Sequence, residues 1–316
     1  MAPPLLRVMK PIVERDRVGI SYSGGGPLLL VELGIARAFV ELGVRPAVIA
    51  GVSAGALAAV AHALDPVDGK GIEAAVVALS GASNYTLGLT LPQIALKAIW
   101  ERQNLASLGD NGPIKELISG VFRRLTGQAD LTVGYFGREG RPRVIVGAAD
   151  RVRALPLWFG EGADVADALV ASSAIPGVFP PRHLGIDGED RLFIDGGVVS
   201  GQPLSVLALA GCGTIYACAV GYDGERLEPP ANLIDNWMQS FTIAIHNASR
   251  LEQAYVQLQI GDDGVIHHIH PEVPFPIDGF NFDAGPVLQV VADAAEATKA
   301  WIRTNKLLPG QPGRTE

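Results

Sequence analysis

The chain has 316 residues, of which 48% are hydrophobic and only 18% carry a charged side chain. This amount of apolar surface can offset the conformational entropy lost on folding, which excludes an intrinsically disordered protein. The formal net charge of -8 is opposite in sign to that of proteins that neutralise nucleic-acid phosphates, so no nucleic-acid partner is expected.

The N-terminal residues and the apolar runs show no targeting signal. Residues 1–17 contain no long apolar segment of the signal-peptide type. The longest nearly apolar run, residues 48–64, is shorter than the roughly 20 residues that a membrane span needs. Cys212 and Cys218 lie in one apolar stretch and are expected to be core thiols. We therefore predict a cytoplasmic protein that can act peripherally at membranes.

The first elements in chain order are an arm and a repeated strand–helix unit. Residues 1–17 are predicted to form an N-terminal arm, and the apolar run Val18–Tyr22 a buried strand. Pro27 suits the first turn of a helix, which we place over residues 28–42. A second buried strand (47–52) and a helix of small residues (53–64) follow. Such a unit is typical of parallel strands.

The rest of the chain continues the alternation of strands and helices. Residues 66–130 are mostly helical in pattern, with glycines and prolines between the helices. Strands are predicted over residues 143–147, 191–194, 214–220 and 265–270, and helices over residues 164–174, 203–210, 233–259 and 286–301. With no recognisable linker, this pattern predicts one three-layer α/β/α domain over residues 18–316, built on a central, mostly parallel sheet.

The segment Gly51-Val52-Ser53-Ala54-Gly55 is the strongest chemical signal. A serine on a tight turn between a strand and a helix presents its hydroxyl clear of the sheet, and the flanking Gly51 and Gly55 let the turn pack closely. The start of the helix favours developing negative charge. The pattern predicts a nucleophile elbow at Ser53; the alternative is a serine that only caps a buried helix.

Two further segments are expected at the same edge of the sheet, because the carboxyl ends of parallel strands lie together. Gly24, Gly25 and Gly26 offer bare backbone N–H groups at a helix start, which suit an oxyanion or a phosphate. Asp195 follows an apolar strand, and burial would raise its pKa enough for it to act as a base. The simpler interpretations are a flexible loop and an ordinary Asp-Gly-Gly turn.

A conventional triad would also need a histidine. The six histidines are His62, His183, His246, His267, His268 and His270. His62 is expected to point away from the serine turn, and the group at 267–270 is the late candidate for a third member. We find no spacing among them that suggests a metal site.

Four blocks resemble the patatin-like phospholipases: SGGG at 23–26, GVSAG at 51–55, ASSAIPGVFPP at 171–181 and DGGVVSGQP at 195–203. The resemblance implies a three-layer α/β/α fold and hydrolysis of lipid carboxylic esters (of phospholipids, lysophospholipids or neutral lipids) through an acyl-enzyme. It makes Ser53 the nucleophile, Asp195 the base of a dyad without histidine, and the backbone of Gly24, Gly25 and Gly26 the oxyanion hole. It implies a lipid or fatty-acyl ester as the substrate, a membrane or micelle surface as a transient partner, and neither metal nor cofactor.

The chain departs from the family pattern in two places. The family's glycine loop usually continues with a basic residue and a further glycine, where this chain has Leu28 and Leu29. The asparagine expected after the Asp-Gly-Gly block is also absent from the segment Ser200-Gly201-Gln202. Losing one charge-assisted contact to a lipid phosphate weakens binding by about 1.5–3 kcal/mol, which favours carboxylester or lysolipid substrates over diacyl phospholipids.

Two other functions stay open. Leu28 and Leu29 also fit a catalytically weak or inactive protein that keeps the fold and binds or regulates lipids. A Ser–Asp–His triad is the second, although an α/β-hydrolase places several strands before its nucleophile and only two can precede Ser53. The apolar segments 87–100 and 275–282 are expected in the core, or alternatively as a lid or a wedge at a lipid surface.

Overall fold

The computed structural model describes residues 11–101, 107–222, 224, 229–230, 233–277 and 280–308. The strands are β1 (Glu14–Tyr22), β2 (Val48–Val52), β3 (Arg143–Asp150), β4 (Leu155–Trp158), β5 (Arg182–Ile186), β6 (Glu189–Ile194), β7 (Cys212–Cys218) and β8 (Val265–Ile269). The helices are α1 (Leu29–Glu41), α2 (Ala54–Leu64), α3 (Lys70–Leu79), α4 (Leu91–Glu101), α5 (Gly112–Thr126), α6 (Val165–Ser172), α7 (Ser205–Leu209), α8 (Leu233–Ile260) and α9 (Ala284–Thr304).

The strands form one sheet in the order β5-β6-β3-β2-β1-β7-β8, with β4 also paired to β3. The pairs β3–β2, β2–β1, β1–β7 and β7–β8 are parallel. At one side of the sheet, β4, β5 and β6 add antiparallel pairs. The predicted central, mostly parallel sheet is therefore confirmed. The sequence does not predict β4 and β5 because both are short and lack a buried apolar run, and β4 contains Pro156.

Helices cover both faces of this sheet, which confirms the three-layer architecture. The side chain of Ile49 in β2 joins a large core with α1, α2 and α9. The neighbouring Val48 and Ala50 join a second core with α7 and the end of α8, because successive side chains of a strand point to opposite faces. None of the helices in the described residues is both long enough and apolar enough to cross a bilayer.

The first strand begins earlier than the sequence predicts. Residues 14–17, which we expected in the N-terminal arm, form the start of β1, and Glu14 pairs with Cys212 of β7. Their charged side chains are exposed or partly exposed and hide the strand from a search for apolar runs, although the backbone still pairs. Residues 1–10 of the predicted arm lie outside the described residues.

Candidate active site

Ser53 lies on a strained turn between β2 and α2. Its backbone angles are φ 54° and ψ -129°, a region that side-chain-bearing residues occupy only where the surroundings hold them there. A Cβ atom added at Gly51 would lie 2.2 Å from the carbonyl oxygen of Gly55, and one added at Gly55 would lie 2.3 Å from that of Ser23. Both glycines are thus required by the close packing of this turn.

A hydrogen-bonded serine from α6 holds the turn in place. The backbone N–H of Ser53 donates to Oγ of Ser172 at 2.8 Å, and that hydroxyl donates to the carbonyl of Gly147 at 2.6 Å. Ser172 is buried. Sequence reasoning missed this contact, although Ser172 lies in the block at 171–181 that carries the family resemblance.

Asp195 reaches the same edge of the sheet, but along an antiparallel strand. β6 pairs with only the last two residues of β3, and Ile194 lies opposite Ala149. β6 therefore approaches the carboxyl edge of the parallel strands from outside the sheet and ends at that edge. Asp195, which follows β6, thus lies close to the end of β2. A Cβ atom added at Gly196 would lie 2.4 Å from the carbonyl oxygen of Gly147, which is why the chain needs a glycine to approach so closely.

The carboxyl group of Asp195 is buried, with only 2% of the residue exposed. Its Oδ1 accepts a hydrogen bond from the N–H of Gly197 at 2.8 Å, whereas Oδ2 has no partner among the described residues. Burial raises the pKa of Asp195 from 3.8 to about 6, and the nearby Ser53 hydroxyl and the Gly197 N–H oppose this shift. A carboxylate with this pKa is ionised at neutral pH and is a stronger base than an exposed aspartate.

The glycine loop lies directly beside Ser53. A Cβ atom added at Gly24 would lie 3.4 Å from that of Ser53. The N–H of Gly24 already donates to the carbonyl of Gly201 at 3.1 Å. Gly25 and Gly26 stand at the start of a short 3-10 helix, where the first N–H groups have no acceptor within the helix. Among the described residues the N–H of Gly24 has an acceptor and those of Gly25 and Gly26 have none, so the latter two amides can serve an oxyanion.

A buried polar contact supports the loop from below. The Ser23 hydroxyl accepts from the N–H of Val220 at 3.2 Å and donates to Oε1 of Glu32 at 3.5 Å. Burial raises the pKa of Glu32 well above its ordinary value, and the Ser23 hydrogen bond only partly opposes the shift. Glu32 therefore links α1 to the loop through a buried hydrogen bond.

The segment after Asp195 is fixed by Glu252 of α8. Oε2 of Glu252 accepts from the Ser200 hydroxyl at 2.7 Å, and Oε1 accepts from the N–H and hydroxyl of Ser205 at 2.9 and 2.7 Å. The same segment supplies the Gly201 carbonyl that holds Gly24. Glu252 was not predicted from the sequence, because the contact joins residues far apart in the chain.

Ser53 stands at the junction of two cavities. The first is apolar and contains about 970 Å³ of empty space, its open part included. Its walls come mainly from α1, α2, α3 and α5 and include Leu33, Leu57, Leu79, Leu117 and Phe122. The second, of about 1360 Å³, is lined by the glycine loop, Asp195 and one face of α8. An ester at Ser53 can therefore place its acyl chain on one side and its alcohol on the other.

The second cavity contains few charged groups. Among its described lining residues Asp195 is the one acidic side chain, and there is no lysine or arginine. Leu28 lines this cavity near the position where the family usually has its basic residue. His246 of α8 also lines it and packs against Tyr222, with ring centroids 5.0 Å apart.

The other histidines considered for a triad lie elsewhere. Nδ1 of His62 is 2.9 Å from the Tyr22 hydroxyl, and burial lowers the pKa of His62 to about 3, so this residue is a neutral part of the core. β8, which carries His267 and His268, is separated from β2 by β7 and β1. The structure thus places His267 and His268 three strands away from Ser53, whereas His270 follows β8 and its Nδ1 lies 3.1 Å from the carbonyl oxygen of Ala219.

The two apolar segments differ in exposure. Phe282 is buried, and Phe280, Phe282 and Leu87 line the apolar cavity, so they are cavity walls. Residues 278–279 of the aromatic segment lie outside the described residues. In α4, by contrast, Ile99 and Trp100 are 70% and 86% exposed.

No group of three or more histidine, cysteine, aspartate or glutamate side chains that could hold a metal ion is found in the described part of the chain.

Comparisons with known proteins agree with the motifs. The model of the patatin-like phospholipase family matches residues 20–208. Similar curated proteins include two uncharacterised NTE family proteins, Mb2594 of Mycobacterium bovis and Rv2565 of Mycobacterium tuberculosis, each 29% identical over 191 residues. These matches cover 60% of this chain and 28% of each relative, so the chain spans little more than a quarter of their length. Among solved structures, VipD from Legionella pneumophila is similar over 93% of this chain and 68% of its own, with a TM-score of 0.46 and 15% identity.

Proposed function

Because the chain belongs to the patatin-like phospholipase family, we propose that it is a lipid acyl hydrolase in which Ser53 and Asp195 form a catalytic dyad. One observation carries the proposal: a serine on a strained elbow shares a cavity with a buried carboxyl group of raised pKa. Residues from Ser23 to Phe282 line the two cavities, which supports the proposal that residues 18–316 act as one domain.

The proposed reaction begins when the Ser53 hydroxyl attacks the ester carbonyl carbon and its proton passes to the Asp195 carboxylate. The N–H groups of Gly25 and Gly26 stabilise the oxyanion that forms. The bond to the alcohol then breaks, Asp195 returns the proton to the departing oxygen, and an acyl group remains on Ser53. Water next gives a proton to Asp195 and attacks the carbonyl carbon of the acyl-enzyme. The bond between that carbon and Ser53 Oγ breaks, Asp195 returns the proton to Oγ, and the carboxylic acid is released.

The two cavities indicate the class of ester. Of the two cavities that the described residues form at Ser53, the one between α1, α2, α3 and α5 is lined almost wholly by apolar side chains, and we take it to hold one acyl chain at a time. The described walls of the second cavity contain no lysine or arginine to pair with a phosphate. We therefore favour carboxylesters and lysolipids over diacyl phospholipids as substrates.

An ester panel tests this function. We expect hydrolysis of nitrophenyl esters, neutral glycerides and lysophospholipids, with diacyl phospholipids slower by about tenfold or more because a charge-assisted contact is missing. Rates are measured for the wild type and for Ser53→Ala. Lipid binding without turnover of any ester would instead support the catalytically inactive lipid-binding protein, the alternative that Leu28 and Leu29 suggest.

We also propose that α4 contacts the lipid surface. The exposed Ile99 and Trp100 are expected to insert into a bilayer, and replacing both with serine should weaken binding to phosphatidylcholine vesicles by about tenfold or more, because each large apolar side chain contributes about 1.5–3 kcal/mol when fully buried. Vesicle co-sedimentation measures the effect.

A matched control is Leu258→Ser in α8, which removes an apolar side chain that is 83% exposed. It should leave vesicle binding as in the wild type. Equal loss in the control and the α4 variant, or no loss in either, would remove α4 from this role.

A further inference from the structure

The apolar cavity borders a second space, on the surface between α3 and α5. Ala78, Ala82, Leu117 and Val121 line both the cavity that begins at Ser53 and a groove outside it. The cavity and the groove therefore lie on two sides of the same four side chains. At this boundary the interior is separated from the surface by a single layer of residues.

The residues at this boundary are small where α3 faces α5. α3 presents Ala74 and Ala78 to the groove, Gly81 follows α3, and Gly120 faces it from α5. A Cβ atom added at Gly81 or at Gly120 would have no described atom within 4 Å. The groove thus has free space directly beside the thin wall of the cavity.

The chemistry of the groove suits a hydrocarbon chain. Its lining includes Val77, Pro113, Leu117 and Val121, with Glu116 and Arg124 as the charged groups among the described lining residues. Val77 is 56% exposed, so an apolar side chain here faces solvent. An apolar strip that continues an apolar cavity can cover a ligand that is apolar along its whole length.

We infer that the four side chains of this wall move apart when a long acyl chain binds, and that the distal part of the chain then passes between α3 and α5 and lies in this groove. The inference rests on the proposed function, because it takes the chain to be attached at Ser53. The substrate class is then an ester of a long, unbranched acyl chain whose end lies at the surface.

Variants that fill the passage test this inference. We measure kcat/KM for nitrophenyl esters with four-carbon and sixteen-carbon acyl chains in the wild type, Ala78→Phe and Gly120→Phe. The ratio of the long-chain to the short-chain value should fall by about tenfold in both variants, since they remove the space for the distal methylenes. Gly120→Phe guards against misfolding of Ala78→Phe, because Gly120 is exposed and has open space around it.

Arg123→Phe is the matched control. It adds the same side chain to an exposed position of α5 that does not line the groove, and it should keep the wild-type ratio. A ratio that stays unchanged in Gly120→Phe, or that falls equally in the control, would overturn the inference while leaving the proposed hydrolase intact.

A second measurement does not depend on catalysis. Cys212 and Cys218 are buried, so Gly120→Cys provides an accessible thiol in the groove. A sixteen-carbon fatty acid with a terminal iodoacetamide should alkylate Gly120→Cys about tenfold faster than Arg123→Cys, because binding in the cavity raises the local concentration of the reactive end. Equal rates would overturn the inference even if the wild type hydrolyses no ester at all, a result that would by itself contradict the proposed function.

Discussion

Replacing Ser53 with alanine is expected to lower kcat/KM for every ester that the protein hydrolyses by at least about 10⁴-fold, because the nucleophile that carries the acyl group is lost. Alanine occupies the left-handed backbone region at about the same cost as serine. The turn between β2 and α2, held by the bond from the backbone N–H of Ser53 to Ser172, should therefore keep its shape. The loss then reports on chemistry and not on folding.

A suitable control for this variant is Ser21→Ala. Ser21 is also a buried serine, its hydroxyl has no partner among the described residues, and it lies on β1 opposite Ala50 of β2. Activity in this variant should stay within about threefold of the wild type, since surface and core changes outside the site act through stability. Comparable losses of activity in Ser21→Ala and Ser53→Ala would indicate that activity falls when any buried serine in this part of the sheet is replaced, and that Ser53 has no special role.

Asp195→Asn is expected to lower kcat by about 10²–10⁴-fold, the usual contribution of a general base. In the wild type, kcat/KM should fall about tenfold per pH unit below pH 6, because burial raises the pKa of Asp195 to about 6 and only the ionised form accepts the Ser53 proton. The residual activity of Asp195→Asn should not show this fall in kcat/KM below pH 6. A soluble short-chain ester is the substrate, so that lipid aggregation does not change with pH.

The same substitution should stabilise the fold at alkaline pH. Burial raises the pKa of Asp195 from 3.8 to about 6, so the folded state holds the proton more tightly than the unfolded state does. The contribution of this group to the free energy of unfolding is therefore lost as pH rises from about 4 to about 6. The ionised carboxylate then destabilises the fold by about 3 kcal/mol, since each pKa unit corresponds to about 1.4 kcal/mol.

Urea unfolding of the wild type and Asp195→Asn at pH 8 and pH 4 measures this effect. Asparagine can still accept the hydrogen bond from Gly197, so the variant should gain up to about 3 kcal/mol at pH 8 and little at pH 4. A variant that is less stable than the wild type at pH 8 would show that the carboxylate stabilises the fold. The prediction that the ionised, buried Asp195 destabilises the folded state would then be wrong.

The turn at Ser53 and the first half of the sheet could be predicted because the information is local. A glycine-flanked serine between an apolar strand and a helix of small residues specifies its own turn, and the structure places Ser53 on that turn. The edge of the sheet at which Asp195 lies was predicted correctly, but from the assumption that its strand is parallel. The strand is antiparallel, and the short pairing of β6 with β3 brings Asp195 to this edge.

The supporting contacts could not be predicted because they join distant parts of the chain. The Gly24 N–H is occupied by the carbonyl of Gly201, and Glu252 holds Ser205 from a helix whose sequence shows only an amphipathic pattern. A glutamate on such a helix is usually solvated, and only the packing of α8 against α7 makes it a hydrogen-bond acceptor at the site. The number of amides left for an oxyanion therefore depends on the tertiary structure.

Labelling with a fluorophosphonate, followed by intact-mass and peptide mass spectrometry, tests the dyad most directly. The wild type should gain a single adduct on the peptide that contains Ser53, Asp195→Asn should react far more slowly, and Ser53→Ala should gain none. An adduct on a different residue of the wild type, or a Ser53→Ala protein that still hydrolyses esters at the wild-type rate, would contradict the account.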